Sequence, residues 1–194
     1  WGSFLAQAYI ERWASSLSGV ILSGTRGPGG VELKLGKLIA TIIIALKGGR
    51  RYSALLHGLA DGSYNKAFRP NRTDFDWLSR DKDEVDAYVR DPLCGFHCSA
   101  AFYRDLTGTL LHIHTKDSLK KIPKDLPVLI FSGASDPVGD MGESPTALVE
   151  KYRELGITDL EFLLYPEGRH EMLNETNREE LGSMLLSWLE RHVS

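Results

Sequence analysis

Two short strings hold the residue types that acid–base chemistry needs. The first is Pro127-Val128-Leu129-Ile130-Phe131-Ser132-Gly133, followed by Ala134-Ser135-Asp136-Pro137-Val138-Gly139. The second runs Leu160 to Leu164 and then Tyr165-Pro166-Glu167-Gly168-Arg169-His170-Glu171. In each, an apolar run of strand length ends in a turn rich in Pro and Gly, and the turn presents one side chain able to do chemistry. Asp136 is the first and His170 the second. A carboxylate bonded to one ring nitrogen fixes the imidazole tautomer and stabilises the imidazolium, while the other nitrogen takes a proton from a nucleophile. General-base catalysis of this kind contributes roughly 10²–10⁴-fold. The two residues are 34 positions apart, the length of one strand–helix–strand unit, so both fall at the same end of neighbouring strands. The plainer reading is a pair of polar turn residues, with Asp136 capping a turn at Asp-Pro, and residue types alone leave both open. Neither string supplies a nucleophile.

The elements around these strings must position them. Residues 2–17 place Phe4, Leu5, Ala8, Tyr9 and Trp13 at helical spacing, with Glu11 and Arg12 outside. A short apolar run at 20–22, closed by Ser23-Gly24-Thr25, suits a strand buried on both faces. From residue 26 the pattern changes. Gly27-Pro28-Gly29-Gly30 breaks the chain, and helical spacing follows over 31–46, 52–59, 74–89 and 99–111, with a loop over 64–73 around Pro70. No strand and no repeat is evident in this block. After Pro127 the alternation resumes: a strand at 128–132, a helix at 145–155 with Gly156 as C-cap, a strand at 160–165, and a helix at 179–192. The expected class is therefore α/β with a parallel sheet, whose ligands bind beyond the carboxyl ends of the strands. The expected organisation is a core at 1–25, a helical insertion at 26–124, and a core segment with the Asp and His loops at 125–194.

Composition narrows the partners. The 194 residues are 42% hydrophobic and 25% charged, which suits a globular domain and excludes a disordered chain. A net charge of −3 gives no basic footprint for nucleic acid. Lys116, Lys120, Lys121 and Lys124 cluster, but Asp117 and Asp125 interrupt them, as on a solvated face. The two cysteines, Cys94 and Cys98, are too few for a disulfide scaffold and suit reduced thiols in a cytoplasmic protein. Cys94-Gly95-Phe96-His97-Cys98 offers too small a ligand set, so no metal is expected, and no cofactor either. The most apolar run, 38–46, is too short to cross a bilayer and fits a buried or interfacial helix, which leaves peripheral membrane contact open. His57, His97, His112, His114 and His192 lack the strand-end context of His170. His112 and His114 alternate as polar groups on one side of a short segment would. Arg169 and Glu171 flank His170 and suit a structural pair.

The strings resemble known motifs. Leu126 to Gly139 and Tyr165 to Glu175 are similar to the acid and histidine motifs of α/β-hydrolases, nearest to the monoacylglycerol lipase, lysophospholipase and serine aminopeptidase-like group. Tyr64-Asn65-Lys66-Ala67-Phe68, the stretch from Arg72 to Asp81 and the stretch from Asp91 to Phe96 resemble the cap of bacterial members. The resemblance covers essentially the whole chain. It implies the α/β-hydrolase fold, a parallel sheet with a helical cap inserted between strands and with the N-terminal strands lying outside this chain. It implies a nucleophile in a G-x-S-x-G elbow, in chain order Ser, Asp, His. Trp1-Gly2 then match the last two positions of the elbow, the nucleophile immediately precedes Trp1, and the Trp1 backbone N–H is an oxyanion donor. Ser3 falls on the first helical turn and reads as structural. The chain is then the C-terminal segment of a longer protein, inactive without its N-terminal part. The implied activity is hydrolysis of carboxylic esters, of monoacylglycerol or lysophospholipid type, without a cofactor. A peptidase or amidase shares the triad. Trp at position 1 also suits dehalogenases and epoxide hydrolases, whose nucleophile is Asp, and a non-catalytic binding module is the remaining alternative. Tyr64, Asn65 and Phe68 either line the pocket or pack the cap. Ile43, in the helix over 35–46, belongs either to an apolar lip that admits acyl chains or to the cap core.

Overall fold

In the computed structural model, which describes residues 1–193, three short apolar runs pair as one parallel sheet. β1 (Val20–Ser23), β2 (Val128–Gly133) and β3 (Leu160–Tyr165) lie in that order, with Leu22 opposite Ile130 and Ile130 opposite Phe162. Every residue of β2 is buried, because the strand has a neighbour on each edge and a helical layer on each face. Alternate residues feed two cores. Val128 and Ile130 pack with Leu22, Ile10, Leu148 and Tyr152 on one face. Leu129 and Phe131 pack with Met172, Leu181 and Trp188 on the other.

The helices are α1 (Gly2–Trp13), α2 (Val31–Lys47), α3 (Ala54–Leu59), α4 (Asp61–Tyr64), α5 (Lys82–Arg90), α6 (Ala100–Ile113), α7 (Lys116–Leu119), α8 (Glu143–Glu154) and α9 (Arg178–His192). α1 leads into β1, α8 joins β2 to β3, and α9 follows β3. α8 stops where Gly156 takes φ +83, the left-handed conformation that glycine reaches without steric cost. The chain between β1 and β2 holds α2 to α7. Among the described residues it forms no strand, only a single bridge between Tyr52 and Ser99. Side-chain oxygens of Ser53, Asp81, Ser99 and Thr115 each accept an N–H from the first turn of the following helix. Each such cap stabilises its helix by about 1 kcal/mol. α2 and α6 pack through Ala40, Ala100 and Tyr103, with Leu56 of α3 between them.

One buried side chain ties the insertion to the core at both crossings. Gln7 of α1 donates through Nε2 to Thr25 Oγ1 at 2.8 Å and to the Arg26 carbonyl at 3.1 Å, where the chain leaves the sheet. Its Oε1 lies 3.0 Å from His114 Nε2, where the chain returns. Burial lowers the His114 pKa to about 4.

Four sequence expectations change. The inward face of α1 is Phe4, Gln7, Ile10 and Glu11, while Leu5, Tyr9 and Trp13 are exposed. The helix is apolar around most of its circumference, so spacing alone does not choose the face. The expected loop over 64–73 contains a short 3-10 helix, Asn65–Phe68. The expected helix over 74–89 begins only at Lys82, because the Asp76 carboxylate captures the backbone N–H groups of Arg72 and Thr73 and holds that stretch in turns. His112 lies inside α6 and His114 caps it, so they do not share one side.

Candidate active site

All three strand ends converge on one turn. β2 runs into Gly133, where a Cβ would overlap the Gly168 carbonyl, so the β3 loop can lie directly against the strand end. β1 runs into Gly24, at φ +52, where a Cβ would sit 2.9 Å from the His170 carbonyl and 3.0 Å from its Nδ1. Ala134 N donates to the Tyr165 carbonyl and Ser135 N to the Gly168 carbonyl, each at 2.8 Å. These contacts carry the sheet register into the loops.

Asp136 is fully buried. Its Oδ1 accepts the Val138 N–H at 2.8 Å and its Oδ2 lies 2.9 Å from His170 Nδ1. A buried carboxylate is tolerable when both oxygens have donors, as here. With Nδ1–H given to Asp136, His170 Nε2 is left as an acceptor, and the ring is partly open to solvent. The arrangement can accept a proton at one defined atom.

The insertion reaches this loop and holds it. The Trp77 indole lies 5.2 Å from the imidazole, and the Trp77 and Leu78 carbonyls accept the His170 and Glu171 N–H groups at 3.4 and 2.8 Å. Arg169 does not pair with Glu171. Its guanidinium donates to the Asp76 and Ser79 carbonyls and lies 4.2 Å over the Phe68 ring, while Glu171 accepts from Asn174 Nδ2 at 2.9 Å. Glu175 is fully buried beneath. It accepts Arg80 Nε at 2.8 Å, and the Arg80, Arg169 and Thr176 N–H groups at 3.1, 2.9 and 3.1 Å. Sequence reasoning missed Arg80 and Glu175 as partners. They lie 95 residues apart, and no local spacing links them.

The other expected site residues divide. Tyr64 stacks on Trp77 at 5.0 Å, and burial, aided by Asp61, pushes its hydroxyl up to about 12. Asn65 uses Nδ2 on the Thr73 carbonyl at 2.6 Å and Oδ1 on the Trp77 N–H at 3.0 Å, so it fixes the turn that carries the indole. Phe68 sits under Arg169. Trp1 is half-exposed before α1, with its carbonyl accepting the Phe4 and Leu5 N–H groups and its ring 5.1 Å from Phe102. Ile43 lies away from this group, packed against the cluster of Ala40, Leu56, Ala100 and Tyr103. The exposed apolar stripe of the same helix is Val31, Leu35, Leu38, Ile42 and Leu46.

Two more histidines face carboxylates. His57 Nδ1 is 3.8 Å from Asp61 Oδ2 within the insertion. His192 Nε2 is 3.1 Å from Asp159 Oδ2 at the opposite end of β3. Asp159, Glu161 and His192 are, among the described residues, the one group of three or more metal-capable side chains whose donor atoms all come within 4.8 Å of one another. The sequence did not flag it, and Arg191 already holds Glu161 at 2.6 Å. Cys94, His97 and Cys98 form no such group among those residues. Among the described residues, no helix is long and apolar enough to cross a membrane.

Comparison with known proteins adds to this geometry. A family described as serine aminopeptidase, S33, matches residues 1–177. A carboxyl esterase from Bacillus coagulans, in complex with glycerol, superposes with a TM-score of 0.83 at 24% identity over 99% of this chain and 62% of its own. A monoacylglycerol lipase from Paleococcus ferrophilus gives 0.70 at 21% identity, over 98% and 65%. A soluble variant of monoglyceride lipase from Saccharomyces cerevisiae gives 0.68 at 20%, over 98% and 62%. The chain thus spans less than two thirds of the length of these structures. No curated protein matches the sequence.

Proposed function

The chain belongs to the serine aminopeptidase S33 family and has the α/β-hydrolase fold, and on that premise we propose that the protein is a serine hydrolase of carboxylic esters. The observation that carries this reading is the 2.9 Å contact between a buried Asp136 and His170, beyond the carboxyl ends of β2 and β3. In the proposed reaction His170 Nε2 takes the proton of a serine hydroxyl as the oxygen attacks the ester carbonyl, then returns it to the departing alcohol. Asp136 holds the ring in the required tautomer and stabilises the imidazolium. The nucleophile is the residue preceding Trp1 in the longer protein, and the Trp1 backbone N–H donates to the oxyanion. Residues 1–194 alone then hold two of the three catalytic groups and hydrolyse nothing.

Residues 26–124 act as the cap on a core formed by 1–25 and 125–194, and Trp77, Tyr64 and Phe68 form its inner surface near the base. The substrates are monoacylglycerols or lysophospholipids. Two features support this. Structural neighbours include proteins named as monoacylglycerol lipases, and α2 presents an apolar stripe with Lys34, Lys37 and Lys47 on the same helix, a composition suited to lie on a lipid surface. A peptidase or amidase is the second reading, favoured by the family description. Turnover of p-nitrophenyl esters against aminoacyl anilides separates the two.

The test of the ester reading is Asp136→Asn in the full-length protein. Ester turnover falls by roughly 10⁴, because the wrong tautomer leaves no base at Nε2. Turnover at the wild-type level would refute it.

A further inference from the structure

The segment that carries the chain out of β1 touches both members of the Asp136–His170 pair. Gly24 lies against the His170 ring, and Arg26 and Gly27 lie against the loop that follows Asp136. The Gly27 N–H donates to Ser144 Oγ at 3.0 Å in a buried contact. A Cβ at Gly27 would sit 2.5 Å from the Ser144 carbonyl oxygen and 3.0 Å from the Leu148 nitrogen, so backbone meets backbone there. Arg26 Nη2 lies 3.1 Å from Asp140 Oδ2 and 3.5 Å from Glu32 Oε1. Its Nε is buried with no acceptor among the described residues, so the contacts at Nη2 anchor the guanidinium. From the other side, Gln7 holds the same segment at Thr25 and at the Arg26 carbonyl.

The loop it meets needs holding. Asp140, Met141 and Gly142 take φ of +50, +55 and +89 in succession, and the first two are not glycine. Left-handed residues that carry a Cβ persist only where their surroundings over-determine them. This strain lies one bond from the acid. The Met141 N–H donates to the Asp136 carbonyl at 2.9 Å, and the Ser144 N–H donates to the Gly139 carbonyl at 3.0 Å. Relaxation of Asp140 or Met141 toward the right-handed region would turn the Met141 N–H away and release the Asp136 backbone. The Asp136 side chain depends on the same loop, because its Oδ1 accepts the Val138 N–H while its Oδ2 meets His170.

We propose that residues 26–27 position the catalytic acid: the Arg26–Asp140 ion pair and the Gly27–Ser144 contact hold the loop in its left-handed form and so aim Asp136 at His170. The proposal rests on the reading of Asp136 and His170 as acid and base. Arg26, Gly27, Asp140 and Ser144 are positioning residues that act through Asp136 and take no part in the chemistry. A displacement of about 1 Å at a catalytic group costs on the order of 100-fold in rate. Asp140 is half-exposed, and such an ion pair adds little to stability. Its loss is therefore read in turnover and in the Asp136–His170 hydrogen bond rather than in melting.

The experiment uses variants of the full-length protein and p-nitrophenyl butyrate. Gly27→Ala forces the segment away from Ser144, so kcat should fall roughly tenfold or more with KM within about twofold. Arg26→Gln and Asp140→Asn should each lower kcat by roughly three- to tenfold. Their double variant should fall no further than the weaker single one, because both act through one contact. Asn reaches the left-handed region readily, so Asp140→Asn removes charge without adding strain. Gly182→Ala, in α9 with open space around the added Cβ, should leave kcat unchanged. The proton between His170 Nδ1 and Asp136 gives a downfield NMR resonance that needs no substrate, and it should shift or broaden in Gly27→Ala, Arg26→Gln and Asp140→Asn. Wild-type kcat in folded Arg26→Gln and Asp140→Asn, multiplied losses in the double variant, or a resonance unmoved where kcat falls would each overturn the proposal. If Gly27→Ala does not fold, the Arg26 and Asp140 variants decide. A wild-type protein that hydrolyses no ester, yet shows a resonance displaced in these variants, refutes the ester reading and supports the positioning role.

Discussion

The core and the insertion each set a histidine beside an aspartate, and they do so by different means. In the core, Asp136 and His170 come from separate strand ends and meet at 2.9 Å, with the carboxylate fully buried and both of its oxygens in use. In the insertion, His57 and Asp61 stand four residues apart, at 3.8 Å and beyond hydrogen-bonding distance. The Asp61 carboxylate is engaged by Tyr103, and the pair stays partly exposed. The pair spans the break between α3 and α4 at the non-helical Ala60, so no continuous element fixes its angle, which is left to rotamers and solvent. Sheet register, close-packed glycines and a clamped loop fix position and angle together. The core pair is therefore preorganised for proton transfer, and the insertion pair is part of a charged, open wall.

The strongest way to break this contrast is to remove a base. His170→Ala in the full-length protein should lower p-nitrophenyl butyrate turnover by roughly 10³–10⁵. His192→Ala, which removes the third histidine–aspartate pair at the far end of β3, should change it by less than about threefold. Similar losses in both would mean that strand-end placement confers nothing.

A second test concerns what holds the loop. Glu175→Ala leaves the Arg80 guanidinium and three backbone N–H groups without their buried acceptor, and urea unfolding should show a loss of roughly 3–5 kcal/mol. Asp61→Ala removes a half-exposed partner and should cost about 1 kcal/mol or less. Equal costs would erase the distinction between a clamped core and an open insertion.

The two faces of α2 sharpen the same boundary. Ile43→Asp buries a charge in the packed cluster and should cost roughly 2–3 kcal/mol, whereas Ile42→Asp on the exposed stripe should cost under about 0.5 kcal/mol. Only Ile42→Asp should then separate long-chain from short-chain ester activity in a folded protein. Matching melting temperatures for the two variants would contradict the assigned faces.

The smallest effect is pH-dependent. Glu11, 5% exposed on the inner face of α1, has its pKa raised from 4.5 to about 7, chiefly by burial and against the pull of Ser118 and Lys121. The folded state therefore holds this proton more tightly than the unfolded chain does. Its cost is absent below pH 4.5, grows between 4.5 and about 7, and is complete above. Glu11→Gln should stabilise the protein by roughly 1–3 kcal/mol at pH 8 and by nothing at pH 4. A gain independent of pH would place the carboxylate in solvent.

The sheet and the Asp136–His170 pair were legible because buried parallel strands leave short apolar runs, and because chemistry at their ends follows a turn that the sequence also displays. The face of α1 was not, since Leu5, Tyr9 and Trp13 are as apolar as Phe4 and Ile10, and the polar Gln7 and Glu11 turn inward beside those two. The turns over 74–80 were hidden because Asp76 and Thr73 compete with helix through side-chain bonds that periodicity does not register. The clamp of Arg80 and Glu175 was invisible for a third reason: it exists only once the insertion folds back over the His170 loop.

The most direct test of the central claim is labelling of the full-length protein by a fluorophosphonate probe, wild type against His170→Ala. Fast modification of a single serine, slowed at least 10³-fold by loss of His170, is the predicted result. A wild-type protein that takes no label, or two proteins labelled at the same rate, would contradict it.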